Sequence, residues 1–544
     1  MPELPEGYQR LEDSERHAAA GARLVGPADQ AEALTVTITL RRKPGAPELP
    51  DEQYWADIPP AERTYLSRDT FADTYGASPD DVEAVTGFAR ANGLEIEETD
   101  LAQRIVRVSG TTAQINQAFG VELAHYETAA GRYRGREGFI SVPAELTQVI
   151  EGVFGLDNRQ VARRAGGGGG VITPLTPPQV AALYDFPTPG SHIGRETIGL
   201  LEFSDPTAGT CGYNPADIGD YFTTNLGIGP GFATPVLTDV GVNGATNSPG
   251  GPGDPEVALD IEVAGAVAQG ARIAVYFTTW DENGWVLALK KAAHPRHGDP
   301  RPSVLSISWD WSEFGTFGNL TWSRAAIHAV HTAFREAAAF GVTVFVASGD
   351  DGSDCQLGDG HAHVYYPASD PFVTCCGGTT IENVAGSSFD ELTWNDNGVT
   401  GGGVSDVFDL PFWQKAAGVP PSVNAGGRVG RGIPDIAGYA NGYNIVLGGV
   451  SQGPYWGTSE TAPLYAGLIA IINSRLEHRV GYLNPVLYAL GGTPVFRDID
   501  DGGSNAAGGA PGYTAGPGWD ACTGWGSING HELLHALRRL GHHH

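Results

Sequence analysis

The chain has 544 residues, which is long enough for two or three domains. Its 63 Asp and Glu residues outnumber 33 Lys and Arg residues, and the formal net charge of −30 disfavours nucleic acid and anionic membranes as partners. No apolar run is long enough to cross a membrane, and the polar residues 1–23 do not resemble a classical signal peptide. The acidic excess suits a protein that works in acid, although a high-salt protein or a merely soluble acidic protein would show the same charge.

An alternating α+β pattern is predicted for the first 160 residues. The predicted elements are strands at 34–40, 104–108 and 121–126 and helices at 51–75, 78–92 and 111–119. Ser78 and Pro79 form a typical helix start, because serine caps the first N–H groups and proline fits the first turn. The order of these elements predicts a ferredoxin-like sandwich, and the region contains no cluster of catalytic residues.

A glycine-rich segment then separates this region from the rest of the chain. Arg163 and Arg164 are followed by five consecutive glycines at 166–170, which predicts a flexible linker and an easy site of proteolysis. The predicted organisation is therefore a first domain at 1–162, a linker at 163–176 and a second domain at 177–541. The final residues 542–544 are three histidines and are interpreted as a tag remnant.

The second domain has the pattern of an α/β protein. Nearly continuous apolar strands are predicted at 197–203, 273–277, 304–309 and 342–347, with helices at 256–268 and 323–340. This alternation predicts a mainly parallel sheet that is covered by helices on both faces. Such sheets place their functional sites at the carboxyl ends of the strands, where Ser348-Gly349-Asp350 follows the last of these strands.

A candidate nucleophile lies at the start of a long apolar helix. Ser459 follows Gly457, precedes Pro463 and comes directly before the apolar run 464–476. A serine in the first turn of a helix meets unpaired N–H groups and the positive end of the helix dipole, and both favour an anionic intermediate at its hydroxyl. The alternative is that Ser459 only caps the helix.

The residues that would activate this serine are predicted to be carboxyls. None of the histidines lies in a glycine-rich turn or helix start typical of a catalytic histidine, and His361 and His363 are the best of a weak set. Glu256 and Asp260 are spaced i and i+4 on a mostly apolar helix, so they share one face. Taken alone, this pair would be interpreted as the wet edge of a helix, because buried carboxyls are costly unless paired.

In the order of four short motifs the chain resembles the sedolisin family, which is also called the serine-carboxyl peptidases. Within this family it is most similar to the kumamolisin-like precursors. The motifs are Glu256-Val-x-Leu-Asp260, Ser306-x-Ser-Trp309, Ser348-Gly-Asp350 and Gly457-Thr-Ser459. The resemblance covers nearly the whole chain and implies a subtilisin-like catalytic domain preceded by an inhibitory prodomain. It implies that Ser459 is the nucleophile, Glu256 the general base, Asp260 the residue that orients this base, and Asp350 part of the oxyanion hole.

The resemblance also implies one bound Ca²⁺ ion near the end of the chain. The matching ligands are the carboxylates of Asp498 and Asp520 and the backbone carbonyls of Ile499, Gly516 and Gly518. Oxygen ligands of this kind suit calcium. The segment that begins at Asp498 is not an EF-hand loop, because its twelfth position is Gly509 rather than glutamate. The alternative is an acidic, glycine-rich loop without a metal.

Two positions depart from the usual pattern of the family. Asp310 follows Trp309 where a small residue is usual, and Asp351 follows Asp350 where serine is common. Asp310 is expected beside the strand that pairs with substrate, so we expect altered subsite preference. Tyr365 is a further residue that would line a subsite or belong to the core. The five cysteines lack metal-site spacing and are expected to be thiols with at most one or two bridges.

The sequence therefore predicts the precursor of an acid-acting serine-carboxyl endopeptidase that activates itself at low pH. A tripeptidyl exopeptidase of the same family and a non-catalytic, calcium-dependent binding protein on the same fold remain alternatives. The expected partners are protein or peptide substrates and the chain's own prodomain, with no nucleic acid or membrane. We also expect a monomer and, from the family, an extracellular location.

Overall fold

The computed structural model describes residues 6–129, 131–164, 167–168, 174–205, 209–315 and 321–541. These ranges form an N-terminal unit, residues 6–162, and a C-terminal unit that begins at residue 174. Most of the predicted glycine linker, at 165–166 and 169–173, and the three terminal histidines lie outside the described residues.

The N-terminal unit is an α+β fold. Its strands are β1 (Tyr8–Arg10), β2 (Arg23–Pro27), β3 (Ala33–Leu40), β4 (Glu95–Asp100), β5 (Ile105–Thr111), β6 (Ala124–Thr128), β7 (Gly131–Gly135), β8 (Ser141–Pro143) and β9 (Ile150–Phe154). Its helices are α1 (Glu52–Asp57), α2 (Arg68–Tyr75), α3 (Pro79–Ala91) and α4 (Thr112–Phe119). The side chains of Ser78 and Thr111 cap the first turns of α3 and α4 by accepting backbone N–H bonds, so the sequence sets where both helices begin.

The predicted ferredoxin-like sandwich is confirmed in the main sheet of this unit. Its four strands are antiparallel in the order β4-β5-β3-β9, and α3 and α4 pack against them. Two predicted elements are wrong in detail. The helix expected at 51–75 is divided around a 3₁₀ turn at Pro60–Glu62, because proline interrupts a continuous helix. The strand expected at 121–126 pairs instead with β2 and β7 in a separate sheet.

The linker and the C-terminal unit supply the remaining elements. The strands are β10 (Arg163–Arg164), β11 (Gly167–Gly168), β12 (Thr197–Phe203), β13 (Val236–Gly241), β14 (Arg272–Thr278), β15 (Val304–Ile307), β16 (Trp309–Ser312), β17 (Thr343–Ala347), β18 (Tyr365–Tyr366), β19 (Thr374–Ala385), β20 (Ser388–Thr393), β21 (Gly403–Val404), β22 (Gly432–Ile433), β23 (Ile436–Tyr439), β24 (Tyr443–Leu447), β25 (Val450–Trp456), β26 (Phe496–Arg497) and β27 (Ser527–Ile528). The helices are α5 (Pro177–Leu183), α6 (Pro215–Thr223), α7 (Asp254–Val267), α8 (Glu282–Ala293), α9 (Arg324–Ala339), α10 (Thr461–Leu476), α11 (Asn484–Ala489) and α12 (Gly530–Leu540).

The main sheet of the C-terminal unit is mostly parallel, as the sequence predicts. Its order is β13-β14-β12-β15-β17-β19, with neighbouring strands parallel; β19 also pairs with β23 in parallel and with β20 in antiparallel orientation. Helices α7 and α10 pack together against the sheet, and α8 packs on α9. Every residue of β12 and β17 is buried, which is why these strands are nearly continuously apolar in sequence.

The N-terminal unit docks directly on the C-terminal unit. Trp55 and Phe71 are almost fully buried in the same hydrophobic cluster as the core of the C-terminal unit. The Arg63 guanidinium donates to the backbone carbonyls of Val480 and Tyr482, at 2.6 Å in each case. The units therefore share both apolar and hydrogen-bonded contacts. In the part of the chain that the structure describes, no helix has the length and hydropathy needed to span a membrane.

Candidate active site

The candidate nucleophile lies in a tight turn at the start of a buried helix. Ser459 belongs to the 3₁₀ turn Thr458–Glu460, which runs directly into α10, and its side chain is buried. Gly457, before the turn, has a φ of 146°, a conformation that favours glycine. Pro463 is in the first turn of α10, where its missing N–H group has no helical partner to lose. The structure thus places Ser459 where the sequence predicts it, at the positive end of a 16-residue helix.

Two predicted carboxyls lie on the helix that packs against this turn. Glu256 and Asp260 are in the first two turns of α7, and α7 contacts both the turn at Thr458–Glu460 and α10. Both residues are buried, so the interpretation as a wet helix edge is wrong. Two carboxyls on one buried helical face are costly to ionise together, which favours shared protons over two free charges.

Asp260 belongs to a chain of hydrogen-bonded groups that reaches deep into the sheet. Its Oδ1 accepts a hydrogen bond from the Ser308 hydroxyl at 2.8 Å, and that hydroxyl lies 3.5 Å from the backbone carbonyl of Ser459. Its carboxyl also interacts with the carboxyl of Glu202, at the end of β12. Glu202 in turn accepts a 2.8 Å hydrogen bond from the indole N–H of Trp309.

This pair of carboxyls must hold a proton to be hydrogen-bonded. A carboxylate only accepts, so a bond between Asp260 and Glu202 requires one of them to be protonated. Burial raises the pKa of Glu202 to about 8, and it also raises the pKa of Asp260 well above its usual range, with the charge of Glu202 adding to the effect. The pair therefore retains a proton throughout the acid range and can buffer a neighbouring carboxyl.

Asp350 is held next to the nucleophile turn by Thr458. Its Oδ1 accepts both the backbone N–H and the hydroxyl of Thr458, at 2.7 and 2.8 Å. Its Oδ2 is buried and has no hydrogen-bond partner among the described residues. Burial is the main reason that the pKa of Asp350 is raised to about 7. Below that pH the group is a neutral acid with one oxygen committed to Thr458 and the other available to donate a proton.

The linker between the two units runs between strands that border this site. Arg163 and Arg164 in β10 pair antiparallel with Asp310 and Trp309 of β16. Gly167 and Gly168 in β11 pair antiparallel with Trp456 and Tyr455 of β25, which ends three residues before Ser459. The described linker residues therefore add to two strand edges on either side of the nucleophile, as an extended peptide would.

The residues expected to hold calcium converge on one loop. The Gly518 N–H donates to Asp498 Oδ2 at 2.7 Å, and the Gly516 N–H donates to Asp520 Oδ2 at 3.1 Å. Burial raises the pKa of Asp520 to about 6, and the backbone N–H groups of Thr523, Cys522 and Gly516 oppose this effect. No group of three or more His, Cys, Asp or Glu side chains suited to a metal occurs in the described ranges. Two carboxylates with backbone carbonyls, including that of Ile499, remain a donor set that fits calcium.

The other residues weighed in the sequence lie elsewhere or serve the structure. His363 bonds to Asp359 at 3.0 Å through Nε2, and His361 is largely exposed beside the same carboxyl. All five cysteines are buried thiols. Tyr365 is buried in β18, and its hydroxyl donates to Asp351 at 2.9 Å.

Sequence reasoning missed the roles of Glu202, Ser308 and Thr458. The role of Glu202 could have been predicted, because it is the one charged residue in the apolar stretch that forms β12. A lone carboxyl at the carboxyl end of a buried parallel strand is either paired or functional. The roles of Ser308 and Thr458 could not have been predicted, because small polar residues beside a motif are common. Only the fold brings them to Asp260 and Asp350.

Comparison with known proteins agrees with this architecture. Residues 20–159 match the pro-kumamolisin activation domain family. The chain is 43% identical over 535 residues to kumamolisin from Bacillus sp. (strain MN-32), covering 94% of this chain and 93% of that protein. It is 34% identical over 579 residues to tripeptidyl-peptidase sed5 from Aspergillus fumigatus, covering 97% of each chain. A solved structure of Pseudomonas sedolisin, a serine-carboxyl proteinase complexed with pseudo-iodotyrostatin, superposes with a TM-score of 0.57 at 27% identity. It covers 68% of this chain and 100% of the sedolisin chain.

Fold, site and relatives together define a serine-carboxyl peptidase with an N-terminal activation domain. The chain belongs to the sedolisin family, in its kumamolisin-like group.

Proposed function

We propose that the protein is the precursor of an acid-acting endopeptidase that forms an acyl-enzyme at Ser459 and activates itself at low pH. The observation that carries the proposal is the buried set of carboxyls around the Ser459 turn: Glu256 and Asp260 on α7, Glu202 behind them, and Asp350 beside Thr458. These groups supply a base, a proton store and an acid without a histidine.

In the first step the Ser459 Oγ attacks the carbonyl carbon of the substrate and passes its proton to Glu256. The C–N bond then breaks as Glu256 returns the proton to the leaving amine, and water repeats the sequence on the acyl-enzyme. An unperturbed glutamate has a pKa of about 4.3, so a glutamate base works in acid, where a histidine would already be protonated. Asp260 and Glu202 hold a proton next to this base and limit the charge that accumulates there.

Asp350 supports the developing oxyanion. Its Oδ1 is held by Thr458, which leaves Oδ2 to carry the proton toward the substrate carbonyl. The backbone N–H of Ser459 is the second donor. Since an ionised Asp350 would repel the oxyanion, activity is lost as the pH rises through the pKa of about 7.

The pairing of the linker favours an endopeptidase. Residues 163–164 pair on one side of the nucleophile and residues 167–168 on the other, so the cleft accommodates a chain that continues in both directions. Tripeptidyl-peptidase is the second candidate, because a relative with that name is similar over nearly the whole chain. The same pairing favours a first self-cleavage between Arg164 and Gly167.

Ion pairs across the interface support activation by acid. Arg104 bonds to Glu336 at 3.1 Å and Arg296 bonds to Asp100 at 2.9 Å, each pair joining the two units. Burial opposes ionisation of Glu336, but Lys290, His294 and Arg104 together lower its pKa. Lys290 and His294 belong to the same unit as Glu336, so only the lowering that comes from Arg104 is linked to docking, and this contribution is lost as the pH falls through the lowered pKa. Acidification therefore loosens the inhibitory N-terminal unit.

A calcium ion between Asp498, Asp520 and the carbonyls of Ile499, Gly516 and Gly518 would support the fold rather than the chemistry. None of these residues contacts the Ser459 turn in the hydrogen bonds of the described chain. When bound, the ion would offset the charge of two carboxylates beside a glycine-rich loop.

Two fluorogenic peptides test the proposal. One is blocked at both ends with its fluorophore and quencher on either side of the cleavable bond; the other has a free amino terminus and a reporter after its third residue. An endopeptidase hydrolyses the blocked peptide after incubation of the full chain at acid pH. Hydrolysis of the free-amino peptide alone would support the tripeptidyl-peptidase, and hydrolysis of neither would leave only the non-catalytic binding protein.

A further inference from the structure

One side chain of the linker enters a pocket on the C-terminal unit. The Arg163 guanidinium donates to Asp351 Oδ2 at 2.8 Å and also to the side-chain oxygens of Gln356 and Tyr365. It lies over two aromatic rings, 5.6 Å from the centre of Tyr365 and 5.9 Å from that of Trp311. Both nitrogens at the end of the guanidinium therefore donate hydrogen bonds, and its carbon lies close to two aromatic rings.

The pocket is organised by residues of the C-terminal unit alone. Tyr365 donates its hydroxyl hydrogen to Asp351 Oδ2 at 2.9 Å, and the Gln356 amide donates to Asp351 Oδ1 at 2.7 Å. Both bonds hold the carboxylate in place whether or not Arg163 is present. Tyr365 is itself fixed, because it is only 1% exposed and packs against the backbone of Gly349. Release of the N-terminal unit therefore leaves the pocket intact.

Two carboxyls meet at this pocket. Asp310 and Asp351 both lie close to Arg163. Asp310 is the strand partner of Arg163, its side chain is buried, and its Oδ2 has no hydrogen-bond partner among the described residues. Asp351 forms the direct ion pair, with 28% of its side chain exposed. An acidic, aromatic pocket at a substrate-like position fits a cation.

We propose that this pocket is a specificity subsite of the mature enzyme, and that it selects substrates with arginine at the position that Arg163 occupies relative to the cleaved bond. The inference rests on the proposed endopeptidase function and adds a substrate class to it. Arg163 occupies the subsite as the first, intramolecular substrate. After cleavage the same residues, Asp351, Gln356 and Tyr365, receive an arginine from another peptide.

The geometry favours arginine over lysine. A planar guanidinium reaches Asp351, Gln356 and Tyr365 with two nitrogens and lies close to two aromatic rings, whereas a lysine ammonium presents a single nitrogen. Losing a charge-assisted hydrogen bond in a partly buried site reduces kcat/KM on the order of tenfold. We therefore expect the order arginine, lysine, glutamine and then glutamate at this position.

The test uses blocked peptides with the sequence of residues 157–173 and the full chain after acid incubation. The variants carry Arg163→Lys, Arg163→Gln, Arg163→Glu or citrulline at 163, which keeps the shape of arginine without its charge. The matched control carries Arg159→Gln, which removes the same charge four residues outside the pairing segment. We expect kcat/KM to fall about tenfold for Arg163→Gln and for citrulline, and less than twofold for Arg159→Gln.

The possible outcomes distinguish failure of the proposed arginine subsite from failure of the proposed endopeptidase function. Cleavage of the parent and Arg163→Gln peptides at equal rates would overturn the subsite and leave the endopeptidase in place. Cleavage of no peptide at all would overturn the proposed function itself. An equal loss of kcat/KM for the Arg159→Gln and Arg163→Gln peptides would show that the enzyme responds to the overall charge of the peptide. This result would also overturn the subsite. In a second measurement, the enzyme variant Asp351→Asn should bring the ratio between the parent and Arg163→Gln peptides close to one.

Discussion

Carboxyl groups at the active site and carboxyl groups at the interface between the two units have opposite environments. At the active site, burial raises the pKa of Asp260, Glu202 and Asp350, and for Asp350 it outweighs the lowering effect of Arg163. At the interface, Glu336 is just as buried but is surrounded by Lys290, His294 and Arg104, and its pKa is lowered. The residue types are the same, so neighbouring charge decides how each group responds to acid.

Because of this difference, one fall in pH protonates the active-site acids first and weakens the contact between the two units later. Below about pH 7 Asp350 is a neutral acid, and the pair Asp260 and Glu202 holds a proton, so both are ready before the medium becomes strongly acidic. The interface carboxyls keep their charge until the pH falls through their lowered pKa, and only then do they release their arginine partners. Catalytic competence is therefore expected at a higher pH than release of the N-terminal unit, which delays activation until the medium is distinctly acidic.

The largest expected effect comes from removing the nucleophile while leaving both groups of carboxyls intact. Ser459→Ala should lower hydrolysis of the blocked peptide on the order of 10⁴-fold or more, and the purified protein should stay full length in acid. Ser451→Ala, at an exposed position in β25, is the matched control and should mature normally. Intact mass before and after acidification measures both. Shortening of purified Ser459→Ala by itself would remove Ser459 from the mechanism.

A second change removes one of the buried carboxyls of the active site, Asp350. Asp350→Ala removes a donor to the oxyanion and should lower kcat by about 10²–10³. Asp350→Asn retains an N–H donor that cannot ionise, so it should keep more activity than the alanine variant, with its alkaline limb moved above pH 7. Profiles of kcat/KM against pH for both variants provide the measurement. Near-parental activity of Asp350→Ala would contradict the assigned role.

A third change weakens an ion pair between the two units. Arg104 is buried between Glu336 and Glu151, and Arg104→Gln leaves Glu336 with Lys290 and His294 only. The pH at which half of the protein matures should rise, because the N-terminal unit loses its buried ion pair with Glu336 and docks more weakly at every pH. Arg132→Gln, on an exposed position of β7, is the control. An unchanged midpoint would show that this ion pair does not govern release.

The smallest expected effect concerns the acidic loop at Asp498 and Asp520, where the proposed partner of the carboxyls is a metal ion. Removing calcium by chelation should lower Tm by several degrees, because an ion bound only to the native state stabilises it by a few kcal/mol when saturating. Asp520→Asn should lower Tm in calcium and make it insensitive to chelator. An identical Tm with and without chelator in the parent would contradict the calcium site.

Much of the fold and of the site could be predicted from the sequence, for different reasons. The strands at 197–203 and 342–347 are apolar throughout, so burial and parallel pairing left a direct imprint on them. Glu256, Asp260, Asp350 and Ser459 lie in short motifs whose order is informative. The partnership of Glu202 with Asp260, and of Arg163 with Asp351, joins positions 58 and 188 residues apart, and no local pattern predicts such contacts.

The pH dependence of the parent enzyme distinguishes catalysis by carboxyls from catalysis by a histidine. The full chain is first matured in acid, and kcat/KM for the blocked peptide of residues 157–173 is then measured from about pH 2 to pH 9. We predict high activity in acid and a decline as the pH rises to about 7 and above, where Asp350 ionises. Activity that instead rises through pH 7 and is greatest near pH 8, as a histidine base would give, would contradict it.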